Sequence, residues 1–181
     1  MKVAFIGTHG VGKTTLCYDL AAILKRQDVS VDMVKEVARL SPLPINRKTS
    51  LDAQTWILMT QIAEEIRSGA HHQVVVCDRS VLDNYAYMLL ACGRQRAFET
   101  LARHWMKTYD CLFKVPISGR PAADGVRDTD EFFMRAIDQR VDELLDRWKL
   151  PCERLIPEER ESWARTAGEV VLRAPKARAL F

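Results

Sequence analysis

The sequence is short of net charge, of paired cysteines and of long apolar runs, and each shortage removes a class of protein. Its 27 basic and 24 acidic residues leave a formal charge of +3, too mild for a groove that tracks nucleic-acid phosphates, so no nucleic-acid partner is expected. The five cysteines, Cys17, Cys77, Cys92, Cys111 and Cys152, are odd in number and no two have C-x-x-C spacing. That argues against a disulfide framework or a zinc site and predicts a reducing, cytoplasmic location. No apolar run reaches membrane-spanning length, and the segment from Met1 to Ile6 is too short for a signal h-region before the glycines begin, so no membrane attachment is expected. The Asn/Thr-Lys-x-Asp base-recognition motif of GTPases and the Leu-Ser-Gly-Gly-Gln signature of transporter ATPases are also missing.

What is there suits one folded domain over residues 1–181. Apolar residues make up 48% of the chain, which excludes disorder. Short apolar runs at Val3 to Ile6, Val29 to Val34, His72 to Cys77 and Cys111 to Val115, with a weaker one at Cys152 to Ile156, read as five strands. Helical patterns fall between them: Lys13 to about Gln27, a stretch capped by Thr49-Ser50 and ended at Gly69, Val81 to Cys92, Gln95 to Thr108, and a stretch begun by the Asp128–Glu131 capping box. Pro157 followed by Glu158 and Glu159 suits the first turn of a last helix. Alternation of this kind predicts an α/β fold of three layers, a five-stranded parallel sheet with helices on both faces and ligands at the carboxyl ends of the strands. Glu36 to Ser50 reads as a long loop, and about 117–130 as an exposed lid loop.

The most specific segment is Gly7-Thr8-His9-Gly10-Val11-Gly12-Lys13-Thr14, a full match to G-x-x-x-x-G-K-[ST] after a strand and before a helix. Such a loop turns its backbone N–H groups inward around phosphate oxygens, and the helix behind it offers free amides and a positive dipole end. ATP with Mg²⁺ is the expected ligand. Lys13 would reach the β- and γ-phosphates, Thr14 would ligate the metal, and Thr15 would continue the ATP site. His9 reads as a loop position that any residue could fill.

Two further strand ends carry chemistry. Asp78, directly after Val74 to Cys77, suits a carboxylate that holds Mg²⁺, and Arg79 follows it. Glu36, after the second strand, would face an acceptor hydroxyl and do general-base work; which of Glu36 and Asp78 is the base stays open. Arg39 could clamp the acceptor. Arg127, and less so Arg120, could close over the transferring phosphoryl group from the lid. Trp56, Tyr85 and Tyr87 are candidates for ring stacking, or for core.

Gly7 to Thr14, Glu36-Val37-Ala38-Arg39, Asp78-Arg79-Ser80 with Asp83 and Tyr87 after it, and Asp124-Gly125-Val126-Arg127 together resemble the small P-loop kinases. Within that group they are most similar to the ATPase/kinase domains related to ribosylnicotinamide kinase, and more distantly to thymidylate and deoxynucleoside kinases. The resemblance implies transfer of the γ-phosphoryl of ATP to a small acceptor, a nucleoside or nucleotide. It places Glu36 beside the acceptor hydroxyl, Asp78 at the magnesium, Arg79 at the phosphates and Arg127 in the lid. Gln54, Gln61 and Glu64 lie where related kinases recognise the acceptor. The chain departs from the pattern in having Asp78 where deoxynucleoside kinases have Glu, Val37 where they have Pro, and Ser80 where thymidylate kinases have an aromatic. Another metabolite such as shikimate, a polynucleotide end, a regulatory ATPase acting on a protein partner, and a homodimer all remain open.

Overall fold

The computed structural model describes residues 1–45, 49–118 and 131–174. Among them, β1 (Lys2–Ile6), β2 (Val31–Val34), β3 (Val74–Asp78), β4 (Cys111–Lys114) and β5 (Glu153–Arg154) form one sheet in the order β2-β3-β1-β4-β5. Every pairing is parallel, with Phe5 opposite Asp78 and Phe113 across the sheet. β1 and β3 are buried along their whole length, which is why residues 3–6 and 74–77 read as unbroken apolar runs rather than alternating ones.

Alternate residues of each central strand serve two cores. Ala4, Ile6, Val75 and Cys77 pack towards α2 (Leu51–Gly69), α3 (Val81–Cys92) and α5 (Glu131–Trp148). Val3, Phe5, Val74 and Val76 pack towards α1 (Lys13–Lys25) and α6 (Trp163–Arg173). The result is the three-layer α/β arrangement that the alternation of elements predicts. α4 (Arg96–Trp105) contributes Ala102 to the first core. Each fully buried large side chain in these layers contributes about 1.5–3 kcal/mol. No helix among the described residues is long and apolar enough to cross a membrane.

Several element boundaries differ from the sequence expectation. The stretch after β2 contains a 3₁₀ turn, Val37–Leu40, whose Val37 is buried in the core; one turn is too short to leave a periodic signal. α2 starts as expected, with the Ser50 side chain accepting from the Ala53 N–H at 3.2 Å. It ends with Ala70 in a right-handed conformation, not with a left-handed glycine. Pro157 opens a 3₁₀ turn, Pro157–Ser162, kinked at Glu159 (φ −99°, ψ 21°), and α6 begins only at Trp163. The Trp163 ring fixes that start, its Nε1 donating to the Ile156 carbonyl at 2.7 Å. The Asp128 cap and most of the expected lid, residues 119–130, lie outside the described residues.

β1 is where the connections part. The chain leaves β1 over one face through α1 and leaves β3 over the other through α3 and α4. A crevice therefore opens at the carboxyl ends of β1, β3 and β4.

Candidate active site

The loop from Gly7 to Thr14 fills that crevice. Gly7, Gly10 and Gly12 all have positive φ (126°, 76° and 94°). At Gly7 the requirement is doubly strict, because a Cβ there would lie 2.9 Å from the Val115 carbonyl oxygen. The Gly7 N–H donates to Asp83 Oδ1 at 2.8 Å, while Asp83 Oδ2 accepts from Ser80 N–H and Oγ at 2.7 and 2.8 Å. The same carboxylate thus caps α3 and anchors the start of the loop. The helix after the loop has no side-chain cap at Gly12, so its first amides are open to an anion.

Lys13 is the first residue of α1, and it is buried. Its ammonium donates to the Thr8 carbonyl. Burial, reinforced by the charge of Arg79, lowers its pKa to about 8, against the opposing pull of Asp78, Asp83 and Glu36. A cation held at that cost is stabilised by an arriving polyphosphate. The Thr14 hydroxyl donates to Asp78 Oδ2 at 2.5 Å. A hydroxyl beside a carboxylate is a pair of hard oxygens that fits Mg²⁺. Among the described residues no group of three or more His, Cys, Asp or Glu is placed to hold a metal. Phosphate oxygens and water would have to complete the shell.

Arg79 has φ +85°, a conformation that costs a non-glycine residue energy and marks sites where the surroundings impose it. Its Nε and Nη2 donate to Glu36 Oε1 at 2.9 and 2.7 Å, and its guanidinium lies 4.8 Å from the Tyr87 ring centre. Glu36 Oε2 accepts from Arg39 Nε at 2.9 Å. Burial alone would raise the Glu36 pKa, but Arg79, Lys13 and Arg39 outweigh it and hold the carboxyl well below the usual range. Glu36 is therefore a firmly ionised carboxylate and a weak base. It can orient a hydroxyl far better than it can remove its proton.

These groups line a cavity with Ala38, Ile45, Gln54, Ile57 and Asn84. It is partly open to solvent, and the space within it is about 40 Å³, room for a few waters. Gln54, Asn84 and Arg79, which line this cavity, each carry a buried atom without a hydrogen-bond partner: Oε1, Nδ2 and Nη1 respectively. Such orphaned groups cost about 1–3 kcal/mol each, which a polar ligand would recover. On another side of the loop, a cleft of about 400 Å³ runs between Val11, Gly12, Thr15 and Asp19 and the Arg160–Ala164 segment.

The structure brings Lys13, Thr14, Glu36, Arg39, Asp78 and Arg79 to one place. His9 is not an indifferent loop position. It is buried, its Nδ1 shares a 2.9 Å hydrogen bond with the Tyr87 hydroxyl, and its ring lies 5.7 Å from that of Phe133. Gln61 does not line that cavity. It is buried behind Arg79, with Nε2 donating to Glu65 Oε1 at 2.8 Å and to the Arg79 carbonyl at 3.3 Å. Seven residues are close to two helical turns, so Gln61 lies on the same face as Gln54 but about 10.5 Å further along the axis, past the cavity. Glu64 turns outward and pairs with Arg67 at 2.8 Å. Tyr85 is core, stacked on Trp148 at 5.7 Å, and Trp56 packs half-buried against the same core. Arg120 and Arg127 lie outside the described residues. Sequence reasoning missed Asn84 and the anchoring by Asp83. The Ser80-x-x-Asp83 spacing of a capping box was a usable signal for Asp83, whereas nothing local marks Asn84.

Comparison with known proteins places this geometry in context. A family model described as an AAA domain matches residues 2–163. A probable thymidylate kinase from Thermoplasma volcanium is 29% identical over 126 residues, which cover 67% of this chain and 62% of that protein; the match thus spans less than two thirds of the relative. Two structures of deoxyadenosine kinase from M. mycoides superpose on 95% of the chain at 16% identity. One, with the products dCMP and a flexible dCDP bound, gives a TM-score of 0.58 and covers 96% of that protein; the other, with bound dATP, gives 0.61 and covers 97%. At that identity the likeness shows a shared fold.

Proposed function

The chain belongs to the AAA domain family, and from that premise we propose that it is an ATP- and magnesium-dependent kinase, moving the γ-phosphoryl group of ATP to a nucleoside or nucleotide. The observation that carries this reading is the cavity beside the phosphate loop. A carboxylate fixed in its ionised form, Glu36, lines one small space together with Gln54, Asn84 and Arg79, each of which carries a buried unpartnered polar atom. A protein that only hydrolysed ATP to signal to a partner would gain nothing from such a space. The kinase names borne by the Thermoplasma relative and the M. mycoides structures favour the same reaction class.

The loop amides and Lys13 hold the β- and γ-phosphates, and the purine and ribose lie along the cleft between Thr15 and Arg160. Thr14 and Asp78 would hold magnesium, which would offset the negative charge of the phosphate oxygens. Glu36 accepts a hydrogen bond from the acceptor hydroxyl and aligns it for in-line attack. Asp78 is already engaged by Thr14, so it is not the group that meets the acceptor. Because the transition state for phosphoryl transfer is loose, little proton removal is needed before bonding begins, and a weak base suffices. Arg79 Nη1 is free to meet the charge that spreads over the transferring oxygens, and Arg127 would join it from the lid.

The test is to incubate the protein with ATP, Mg²⁺ and a panel of nucleosides, nucleotides and nicotinamide riboside, and to follow ADP release. Release that depends on one acceptor is expected. Slow hydrolysis indifferent to every acceptor but stimulated by a protein would instead establish a regulatory ATPase.

A further inference from the structure

A second polar network lies behind the acceptor cavity, and the proposed reaction uses none of it. Glu65 on α2 is 2% exposed. It accepts hydrogen bonds from Lys2 Nζ and Trp105 Nε1 at 2.7 Å each, from Gln61 Nε2 at 2.8 Å and from the Tyr109 hydroxyl. The Lys2 ammonium also sits 4.6 Å from the ring centres of Trp105 and Tyr109. A buried ion pair gains little net stability, because desolvation offsets most of its attraction. Stability by itself is a poor reason for this network.

Two of its arms converge on one backbone segment. Gln61 Nε2 reaches the Arg79 carbonyl at 3.3 Å, and the Val81 N–H donates to the Tyr109 hydroxyl at 3.1 Å. The groups between are also tied. Arg79 N–H donates to the Phe5 carbonyl at 3.2 Å, Ser80 N–H to Asp83 at 2.7 Å, and the Ser80 carbonyl accepts from Asn84 N–H at 3.2 Å. Every backbone polar group from the Arg79 N–H to the Val81 N–H is therefore committed. That is the condition under which a non-glycine residue is kept at φ +85°.

We propose that Gln61 and Tyr109, oriented by Glu65, are positioning residues that hold Arg79 in its left-handed backbone and thereby aim its guanidinium at the phosphoryl group in transit. The proposal rests on the kinase reading of the site. With the network loosened, the segment relaxes, and the Arg79 side chain swings off the line between donor and acceptor.

Two measurements test it. In the first, Gln61→Met lowers kcat at least about tenfold with ATP affinity unchanged, yet has no further effect in an Arg79→Ala background, since the two act through one group. An equal fall in both backgrounds would mean general damage and would overturn the proposal. The second measurement needs no activity. Arg79→Gly and Arg79→Ala both lack the guanidinium and differ mainly in tolerance of positive φ. With the network intact, the glycine variant melts about 2–4 °C higher. Adding Gln61→Met and Tyr109→Phe together closes that gap, and Tyr109→Phe alone narrows it if the combined variant does not fold. A gap that is absent at the outset, or that survives the loosening unchanged, overturns the positioning role. If the wild type phosphorylates no acceptor, the kinase reading fails separately, and the melting comparison still decides whether the network imposes the backbone.

Discussion

Replacing Lys13 by methionine should stabilise the ligand-free protein while abolishing its response to ATP. The ammonium is buried against the Thr8 carbonyl, and its pKa falls from 10.5 to about 8 on folding, chiefly through burial. At 1.36 kcal/mol per pH unit, the folded state carries a cost of ~3 kcal/mol for keeping that proton. Methionine conserves most of the volume and removes the charge. Against the gain stand the hydrogen bond to Thr8, worth about 1–1.5 kcal/mol, and a weaker counter-charge for Asp78. The net is about 1–2 kcal/mol, or a rise in Tm of roughly 2–8 °C for a chain of this size. The pH dependence follows from a depressed lysine pKa. The cost is fully present below about 8 and fades as pH rises from there towards 10.5, so the wild type should catch up with the variant over that window. With ATP and Mg²⁺ at a hundred times the wild-type Kd, the wild type should gain about 2.7 kcal/mol and the variant nothing. Thermal melts of both proteins between pH 7 and 10, with and without ligand, check every part of this. A variant that melts lower than the wild type at pH 7, or a difference that stays flat to pH 10, would refute the argument that the phosphate loop stores the cost of a desolvated cation.

Other substitutions probe separate links. Glu36→Gln should keep ATP binding and lower transfer by about two orders of magnitude, measured as kcat with saturating acceptor. Because Glu36 is held well below the usual carboxylate range, its pairing with Arg79 stays intact as pH falls below 4.5 and is lost only near the depressed pKa. Activity that fell between pH 7 and 5 in the wild type but not in Glu36→Gln would contradict that. Gly7→Ala puts a Cβ 2.9 Å from the Val115 carbonyl at φ +126°, and should cost about 2–3 kcal/mol by denaturant titration. Asp83→Asn turns an acceptor of three hydrogen bonds into a partial donor. It should destabilise by about 1–3 kcal/mol and weaken ATP binding through the freed Gly7 amide.

The glycines, Lys13 and Thr14 of the phosphate loop could be read from the sequence because their chemistry is local. Backbone conformation, amide direction and helix start are all set within eight residues, and the spacing records them. The unbroken apolar runs of β1 and β3 likewise declared a parallel sheet, since burial on both faces leaves no alternation. What tertiary structure alone decided is which distant residues meet. Gln54 and Gln61 look alike in sequence and lie on the same face of one helix, yet one borders the cavity and the other backs Arg79, because two turns of helix advance the side chain about 10.5 Å along the axis and past the opening. Glu36 stands alone after its strand in the sequence, and only the fold brings Arg79, forty-three positions away, beside it to hold its carboxyl ionised. The strain at Arg79 has the same origin: hydrogen bonds from β1, α2, α3 and Tyr109, two residues before β4, converge on a segment of three residues, and no local pattern encodes that convergence.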